Sequence, residues 1–437
     1  MREEVVNTPT KEKTYLIGAQ LKNSRPLLTL EDSLHELAML ADTAGMEVIG
    51  QTSQRLQHID PNTFIGSGKV AEVREHVTEL GAQVVIFDDE LSPRHQKQLE
   101  LEFGESIKVL DRSALILDIF AQHARTREGA LQVELAQYEY RLPRLTRQWT
   151  HLARQAGGGA ARGGSGGVGL RGPGETQLEV DRREISRKIS KLKDELEKVR
   201  QHRSQHRHQR GRTGIPVVAM VGYTNAGKST LLRTITGSDV HVADQLFATL
   251  DPLTRRVDLP SGRNILITDT VGFIQKLPAT LIAAFRATLE EIVEADLLLH
   301  VADTSHRNVI EQIETVEDTL AAIDIPSIPR IMAWNKMDKV DSDSLPRRIG
   351  HEKYAAEVYV SARTQSGISA ILDKIEETLI SYLHTIRVKI PYERGDLVSQ
   401  LFETANVEKQ EHIEDGIILT VQLPPSLQEK YRIFQVK

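Results

Sequence analysis

The residues from Gly222 to Ser229 have the types and spacing of a phosphate-binding loop, G-x-x-x-x-G-K-S. In such a loop the glycines let backbone N–H groups turn toward a polyphosphate, and the following helix directs the positive end of its dipole at the same charge. We expect Lys228 to reach the β- and γ-phosphates and Ser229 to bind Mg²⁺. The alternative is a glycine-rich turn before a helix, without a ligand. The loop comprises Gly222, Tyr223, Thr224, Asn225, Ala226, Gly227, Lys228 and Ser229.

A second motif, Asp269, Thr270, Val271 and Gly272, follows a predicted strand at residues 264–268. A carboxylate at the end of such a strand can enter the Mg²⁺ shell, and a glycine N–H beside it can contact the γ-phosphate. The motif therefore predicts a switch element that responds to the nucleotide.

Two further motifs indicate guanine as the base. Asn335, Lys336, Met337 and Asp338 follow an apolar strand predicted at residues 330–334. The Asp338 carboxylate can accept hydrogen bonds from both N1–H and the exocyclic amine of guanine. Adenine offers neither donor, so discrimination of about 10⁴ is within reach. Ser361, Ala362 and Arg363 follow another predicted strand, and we expect them to close over the base.

These motifs need a sheet that presents all of them at the same edge. In open α/β sheets, ligands bind at the carboxyl ends of the strands, and each motif here follows an apolar run. The pattern predicts a P-loop GTPase domain over residues 213–385. Its predicted strands lie at 216–221, 264–268, 297–301, 330–334 and 358–360, with helices at 308–323 and 368–382.

Composition indicates a large folded protein. The chain has 437 residues, of which 40% are hydrophobic and 27% charged, so wholesale disorder is excluded and about three domains are expected. It contains no cysteine, which excludes disulfides and thiolate metal sites. No apolar run approaches the roughly 20 residues that span a bilayer, and residues 1–13 are polar. We expect a cytoplasmic monomer; a membrane-associated fraction stays open.

Residues 1–122 alternate between strand and helix patterns, which predicts a small parallel α/β subdomain. The run 66–69 resembles half of a phosphate-binding loop but is better explained as a turn before a helix. Asp88, Asp89 and Glu90 form an acidic cluster that could bind a cation or simply end a strand. The predicted strands are 14–18, 47–54, 83–87 and 107–110, and the predicted helices are 30–45, 69–80 and 92–103.

Residues 123–212 predict an antiparallel helical hairpin. Apolar residues recur at alternating spacings of four and three in two stripes, and a short connection joins them. Each helix of about 25 residues would be roughly 37 Å long and would project as an arm, with a kink at Pro143. The first stripe is Leu131, Leu135, Tyr138, Leu142, Leu145, Trp149 and Leu152; the second is Leu178, Ile185, Ile189, Leu192, Leu196 and Val199.

The predicted tip of this hairpin is rich in glycine and arginine. The net charge of the chain is −6, yet no acidic residue lies between Glu139 and Glu175. Arginines and a glycine backbone that approaches phosphates closely are typical of RNA contact, and Arg154, Arg162 and Arg171 are our candidate RNA-binding residues. A flexible linker with incidental arginines is the alternative. The arginines in this interval are Arg141, Arg144, Arg147, Arg154, Arg162 and Arg171.

The remaining residues, 386–437, predict a small α+β domain without a catalytic constellation. Strands are predicted at 387–391, 416–421 and 431–436, around a helix at 396–405. This domain is either a second contact surface or a cap.

Several runs together resemble the HflX family of ribosome-associated GTPases, and the resemblance covers nearly the whole chain. Residues 169–179 read GLRGPGETQLE and are followed by Asp181-Arg182-Arg183. The loop at 222–229 and the run Phe247, Ala248, Thr249, Leu250 and Asp251 complete the resemblance.

The resemblance implies an activity and a partner. It implies GTP hydrolysis, binding to the large ribosomal subunit and its RNA, and splitting or rescue of stalled ribosomes under stress. It also implies that Thr249, in switch I, joins Ser229 on Mg²⁺ and that residues 269–272 sense the γ-phosphate. Catalysis is accordingly assigned to Lys228, Thr249 and Gly272.

Two residues bear on the rate of hydrolysis. Phe273 follows Gly272 at the position where Ras-type GTPases hold a water-orienting Gln, and a phenyl ring cannot orient water. We therefore expect slow intrinsic hydrolysis that the ribosome stimulates. Asn225 resembles the loop residue of potassium-activated GTPases, so K⁺ is a possible second cofactor, although Asn also fits a tight turn.

A second functional interpretation stays open on the residues alone. The chain could be an RNA-binding or RNA-remodelling protein that uses a nucleotide, ATP included, for regulation or unwinding. Asp338 separates the two interpretations, because its carboxylate is needed only where guanine is read.

Overall fold

The computed structural model describes residues 11–148, 173–211, 215–237, 246–281, 291–341 and 353–436, except positions 25, 248, 279–280, 324, 326–327, 383 and 424–430. The chain divides into two compact units. The first comprises Met1–Leu196 with Lys276–Ala284, and the second Glu197–Gln275 with Phe285–Lys437.

The first unit contains a parallel four-stranded sheet in the order β2-β1-β3-β4. Its strands are β1 (Lys13–Leu21), β2 (Glu47–Leu56), β3 (Val84–Phe87) and β4 (Lys108–Asp111). Its helices are α1 (Leu30–Thr43), α2 (Ser67–Leu80), α3 (Pro93–Phe103) and α4 (Arg112–His123). All four residues of β3 are buried, as expected for a central strand of a parallel sheet covered on both faces.

Helix α4 was not among the predicted elements. Its sequence is apolar at most positions between Ser113 and Phe120 and therefore lacks the clear periodicity of a half-buried helix. The structure buries it on nearly all sides. Its start is set by Asp111, whose side chain accepts a hydrogen bond from the Ala114 N–H.

Two long helices follow, α5 (Arg127–Gln148) and α6 (Pro173–Gly211). The two helices are antiparallel. Arg127, near the start of α5, lies 3.6 Å from Glu195, whereas Tyr138, further along α5, has the Lys188 ammonium 5.5 Å from the centre of its ring. Helix α5 continues through Pro143, and the predicted kink there stays a prediction. Trp149 and Leu152 of the first apolar stripe lie outside the described residues.

The second unit is organised around a six-stranded sheet in the order β10-β9-β8-β5-β7-β6. All neighbours are parallel except β6, which runs antiparallel to β7. The strands are β5 (Val217–Val221), β6 (Leu253–Asp258), β7 (Asn264–Asp269), β8 (Leu297–Asp303), β9 (Arg330–Asn335) and β10 (Ala356–Tyr359). The helices include α7 (Lys228–Thr236), α8 (Val309–Ala322) and α9 (Ile368–Ser381). The central strand β5 is buried from Val218 to Val221, which fixes the start of the loop at Gly222.

A smaller antiparallel sheet closes the chain, in the order β12-β13-β11-β14. It contains β11 (His384–Pro391), helix α10 (Gly395–Thr404), β12 (Asn406–Ile413), β13 (Gly416–Leu423) and β14 (Gln435–Val436). Strand β12 was not predicted, because its polar residues lie at the exposed edge of the sheet. The strand predicted at 431–436 is wrong over Arg432–Phe434, which form a 3₁₀ turn.

The predicted mixed α/β class, with parallel sheets and further domains on the N- and C-terminal sides of the six-stranded sheet, is confirmed. Within the part of the chain that the structure describes, no helix is both long and apolar enough to cross a membrane.

Candidate active site

The loop 222–229 joins β5 to α7. Gly222 and Gly227 are required in this loop because neighbouring atoms leave no space for a Cβ. A Cβ on Gly222 would lie 2.2 Å from the Val301 carbonyl oxygen, and one on Gly227 would lie 2.4 Å from Nδ2 of Asn335. Gly227 also has φ +93°, which favours glycine. The backbone of this loop is therefore fitted against β8 and β9.

Lys228 is buried at the first position of α7. Its ammonium donates to the carbonyl oxygens of Gly222 (3.1 Å) and Tyr223 (2.9 Å). Burial lowers the pKa of Lys228 to about 8, although the nearby Asp269 carboxylate opposes this shift. A polyphosphate beside the ammonium would favour its charged form, so the site is matched to an anionic ligand.

Three oxygen-bearing side chains meet at the carboxyl end of β7. The Ser229 hydroxyl donates to Oδ2 of Asp269 at 2.6 Å, and Oγ1 of Thr249 lies 2.7 Å from Ser229 Oγ. Asp269 is fully buried, which raises the pKa of its carboxyl, whereas Lys228 acts in the opposite direction. Its Oδ1 is buried without a hydrogen-bond partner among the described residues.

This donor set fits Mg²⁺, which prefers hydroxyl and carboxylate oxygens. Ser229 and Thr249 would hold the ion directly, and the unsatisfied Oδ1 of Asp269 is available to a water of its shell. Sequence reasoning placed Ser229 here from the phosphate-binding loop pattern and Asp269 from the end of a strand, whereas Thr249 was indicated only by the resemblance.

Backbone hydrogen bonds hold the second motif against the loop. The Phe273 N–H donates to the Gly222 carbonyl at 3.1 Å, and the Thr224 N–H donates to the Phe273 carbonyl at 2.8 Å. A Cβ on Gly272 would lie 2.8 Å from Cα of Thr224 and 3.1 Å from Nζ of Lys228. Oγ1 of Thr224 is buried and has no hydrogen-bond partner in the described part of the chain, as expected for a group facing a ligand.

Sequence reasoning missed a further bond here. The Gln275 N–H donates to the Tyr223 hydroxyl at 2.9 Å, and Tyr223 is buried. A tyrosine inside a phosphate-binding pattern was the available signal, because a buried hydroxyl needs a partner. Thr270 is also held, since its hydroxyl donates to the Met220 carbonyl at 2.6 Å.

The Asn335 side chain connects the loop to the segment expected around the base. Its Nδ2 donates to the Ala226 carbonyl at 2.9 Å, and its Oδ1 accepts from the Ala362 N–H at 3.1 Å. Asn335 is therefore hydrogen-bonded to the protein through both its amide nitrogen and its amide oxygen, and it links segments that follow three strands.

Asp338, the residue predicted to read the base, is hydrogen-bonded to Ser361. The Ser361 hydroxyl donates to Oδ1 of Asp338 at 2.7 Å and accepts from the Thr364 N–H at 3.2 Å. Lys336 has φ +63°, and its ammonium lies 2.7 Å from Oδ2 of Asp303. Asp303 was not among the predicted residues, although it ends β8 as the other site residues end their strands.

The remaining predicted positions are more peripheral. Phe247 and Leu250 are buried beside Thr249, Val271 is also buried, and Asp251 is half-buried. Ala248 lies outside the described residues. Met337 is half-buried and Arg363 is exposed.

The candidate RNA-binding residues Arg154, Arg162 and Arg171 lie outside the described residues, so the structure does not place them. Arg144, which the charge pattern grouped with them, packs inside the first unit. Its guanidinium donates to the Leu91 carbonyl at 2.7 Å and lies 3.2 Å from Oδ2 of Asp111.

A phosphate-binding loop, the motif 269–272 beside it and the motif 335–338 after β9, at the strand ends of a mainly parallel sheet, define a P-loop GTPase. Models of four families match consecutive parts of the chain. They are "GTP-binding GTPase N-terminal" (residues 31–121), "GTP-binding GTPase Middle Region" (123–210), "50S ribosome-binding GTPase" (217–336) and "HflX C-terminal domain" (344–430). The chain belongs to the HflX family of GTPases.

Curated relatives support the same assignment. GTPase HflX of Caldanaerobacter subterraneus subsp. tengcongensis is 44% identical over 404 residues, which is 92% of this chain and 90% of the relative. GTPase HflX of Escherichia coli (strain K12) is 43% identical over 395 residues, 90% of each chain. The crystal structure of a GTP-binding protein from Sulfolobus solfataricus in complex with GDP is 23% identical to this chain, with a TM-score of 0.43, and the match covers 84% of this chain and 99% of that chain.

Proposed function

We propose that this GTPase is a translation factor that binds the large ribosomal subunit and splits or rescues stalled ribosomes under stress. The observation that carries the proposal is the match of residues 217–336 to a family described as a 50S ribosome-binding GTPase. GTP hydrolysis is stimulated by the ribosome, and the protein acts as a monomer in the cytoplasm.

The hairpin supplies the contact with ribosomal RNA. Its two helices pair in opposite directions, and the sequence between Glu139 and Glu175 contains no acidic residue. Arg154, Arg162 and Arg171 make this contact, because guanidinium groups pair with phosphates and glycines allow close approach. The hairpin occupies residues 123–212, between an N-terminal domain at 1–122 and a GTPase domain at 213–385; residues 386–437 form the C-terminal domain.

In the nucleotide site, each side chain has a distinct task. Lys228 and the loop N–H groups hold the β- and γ-phosphates, the Gly272 N–H contacts the γ-phosphate, and Asp338 reads guanine. Ser229 and Thr249 would hold Mg²⁺, which would neutralise charge on the phosphate oxygens. Asn225 would hold K⁺ as a second cation of the same site; its φ of +59° is a left-handed conformation that Asn adopts more readily than most other residues.

Slow hydrolysis without the ribosome follows from Phe273. Its buried phenyl ring offers no hydrogen-bonding atom, so no residue at this position orients the attacking water. A partner that completes such a site can accelerate hydrolysis by about 10³- to 10⁵-fold.

The test is GTP turnover with and without purified large subunits. We compare the wild type with a variant carrying Arg154→Ala, Arg162→Ala and Arg171→Ala. Stimulation should be strong for the wild type and lost in the variant, and wild-type binding should weaken as salt rises.

A second triple variant controls for net charge. Arg55, Arg74 and Arg94 are exposed in the first unit, and changing them to Ala removes the same charge from outside residues 123–212. This control should keep full stimulation. Wild-type turnover that large subunits leave unchanged would contradict the ribosome proposal, and equal stimulation of all three proteins would contradict the role of the hairpin arginines.

A further inference from the structure

Lys276 makes an ion pair that nucleotide binding alone does not explain. It lies four residues after Gly272 and begins the segment that belongs to the first unit. Within that unit, its Nζ lies 2.5 Å from Oδ2 of Asp88 and 2.7 Å from Oδ1 of Asp89. The Asp88 side chain is fully buried, and the Lys276 side chain is 30% exposed.

The partner of Lys276 is part of a buried charge cluster at the end of β3. Oδ2 of Asp88 accepts from Ser33 at 2.6 Å, and Oδ1 accepts from Arg112 at 2.7 Å. Arg112 also pairs with Glu36. Although burial raises the pKa of Asp88, the Arg112 and Lys276 cations hold it below its usual value. In this cluster, the carboxylates of Glu36, Asp88 and Asp89 pair with two cations, Arg112 and Lys276.

The backbone at Lys276 is also constrained. Its φ is +56°, a left-handed conformation that is uncommon outside glycine. Residues in such conformations persist where the surrounding contacts hold them. Among the residues that the structure describes, Asp88 and Asp89 hold the Lys276 side chain by an ion pair.

Hydrogen bonds restrict the movement of the backbone between Gly272 and Lys276. Phe273 is hydrogen-bonded through both its N–H and its carbonyl, and the Gln275 N–H donates to the Tyr223 hydroxyl. A displacement of Gly272 must therefore either break these bonds or reach Lys276. The conformation that they stabilise has Gly272 beside Lys228, and in it Thr249 is hydrogen-bonded to Ser229.

We propose that Lys276 is a positioning residue of the GTPase site, whose ion pair with Asp88 and Asp89 holds the switch segment, residues 269–275, in the arrangement that receives the γ-phosphate. The acidic cluster of the first unit thereby takes part in selecting GTP over GDP. The pair acts on Gly272 through the backbone and touches no reacting atom.

The test uses Lys276→Gln, which removes the ammonium but keeps a long side chain that is unbranched at Cβ. Affinities for a non-hydrolysable GTP analogue and for GDP are measured by fluorescent nucleotide titration. The preference for the analogue should fall about tenfold, equivalent to about 1.4 kcal/mol, with GDP affinity within about twofold of wild type. In Lys276→Gln, the kcat for GTP hydrolysis should fall and the KM for GTP should rise. Lys276→Arg keeps the positive charge and should have the wild-type kcat and KM.

Lys108→Gln is the matched control. It breaks an exposed ion pair of the same unit, in which Lys108 Nζ lies 2.5 Å from Glu12, with no connection to the switch segment. It should leave both nucleotide affinities unchanged.

Two results would overturn the proposal. One is a Lys276→Gln variant with the wild-type preference for the GTP analogue over GDP. The other is an equal loss of both affinities, which would show a general loss of structure. Asp89→Asn tests the same pair from its partly exposed side and should lower the preference about threefold; an unchanged ratio there would also count against the proposal. Because only nucleotides are added, the result is independent of ribosome binding.

Discussion

Gly272→Ala should uncouple GTP hydrolysis from GDP binding. The added Cβ would lie 2.8 Å from Cα of Thr224 and 2.9 Å from its Cγ2. An ordinary contact between such carbons is about 3.5 Å or longer, so the switch backbone must shift by roughly 0.7 Å away from the loop. The Thr224 Cα belongs to the backbone of the loop and cannot yield as a flexible side-chain end would.

The magnitude follows from the sensitivity of catalysis to position. A misplacement of about 1 Å can lower a rate 10²-fold, and we expect a fall in kcat of about 10² for Gly272→Ala, or about 2.7 kcal/mol. GDP lacks the γ-phosphate that Gly272 is proposed to contact, so its affinity should change by less than about threefold.

Single-turnover hydrolysis of GTP and titration with fluorescent GDP measure the two quantities. Gly395→Ala is a suitable control, because a Cβ there meets nothing within 4 Å and the residue lies in the same unit. Wild-type hydrolysis by Gly272→Ala, or a parallel loss of GDP affinity, would show that Gly272 does not act on the γ-phosphate.

Three further changes test other parts of the site. Asp338→Asn should shift the preference from guanine to xanthine nucleotides by about 10³ or more, read from turnover with GTP, XTP and ATP; an unchanged preference, or an ATP-driven activity insensitive to the change, would favour the RNA-remodelling alternative. Lys228→Met should abolish hydrolysis yet stabilise the nucleotide-free protein by up to about 3 kcal/mol at pH 7, because the pKa of Lys228 is lowered to about 8 by burial. The unfolded chain binds the extra proton between pH 8 and the ordinary lysine pKa of 10.5, so wild-type stability rises with pH over that window, and the advantage of the variant in denaturant titrations should disappear above it. Finally, hydrolysis should be several-fold faster in K⁺ than in Na⁺ buffer, and Asn225→Ala should remove the difference; equal wild-type rates in the two buffers would exclude a K⁺ site.

Local patterns were sufficient for most of the secondary structure that carries the site. An apolar run followed by Gly222, Asp269 or Asn335 predicted where β5, β7 and β9 end, to within one residue. The carboxyl ends of neighbouring parallel strands meet at one edge, so the proximity of Ser229 and Asp269 was predictable from their positions. Strand β12 and helix α4 lacked such patterns, the first because it is a polar edge strand and the second because it is apolar on most sides.

Contacts between distant parts of the chain could not be predicted in this way. The hydrogen bond between Tyr223 and Gln275 and the ion pair between Lys276 and Asp88 depend on how whole elements pack. The sequence indicated Asp88 as a possible cation ligand or a charged strand end. The structure shows its carboxylate buried between Arg112 and Lys276, because an isolated buried carboxylate would be too unfavourable to remain charged.

The close approach of Gly222 to Val301 and of Gly227 to Asn335 also has a genetic consequence. Every missense change at a glycine codon adds a Cβ, and at these two positions that atom would lie 2.2 Å and 2.4 Å from its neighbour. No conservative replacement exists for either residue, whereas the Gly68 and Gly395 positions have open space around the same atom. In a library of random single mutants selected for function, the first pair of positions should therefore return only glycine, while the second pair should return a mixture of amino acids.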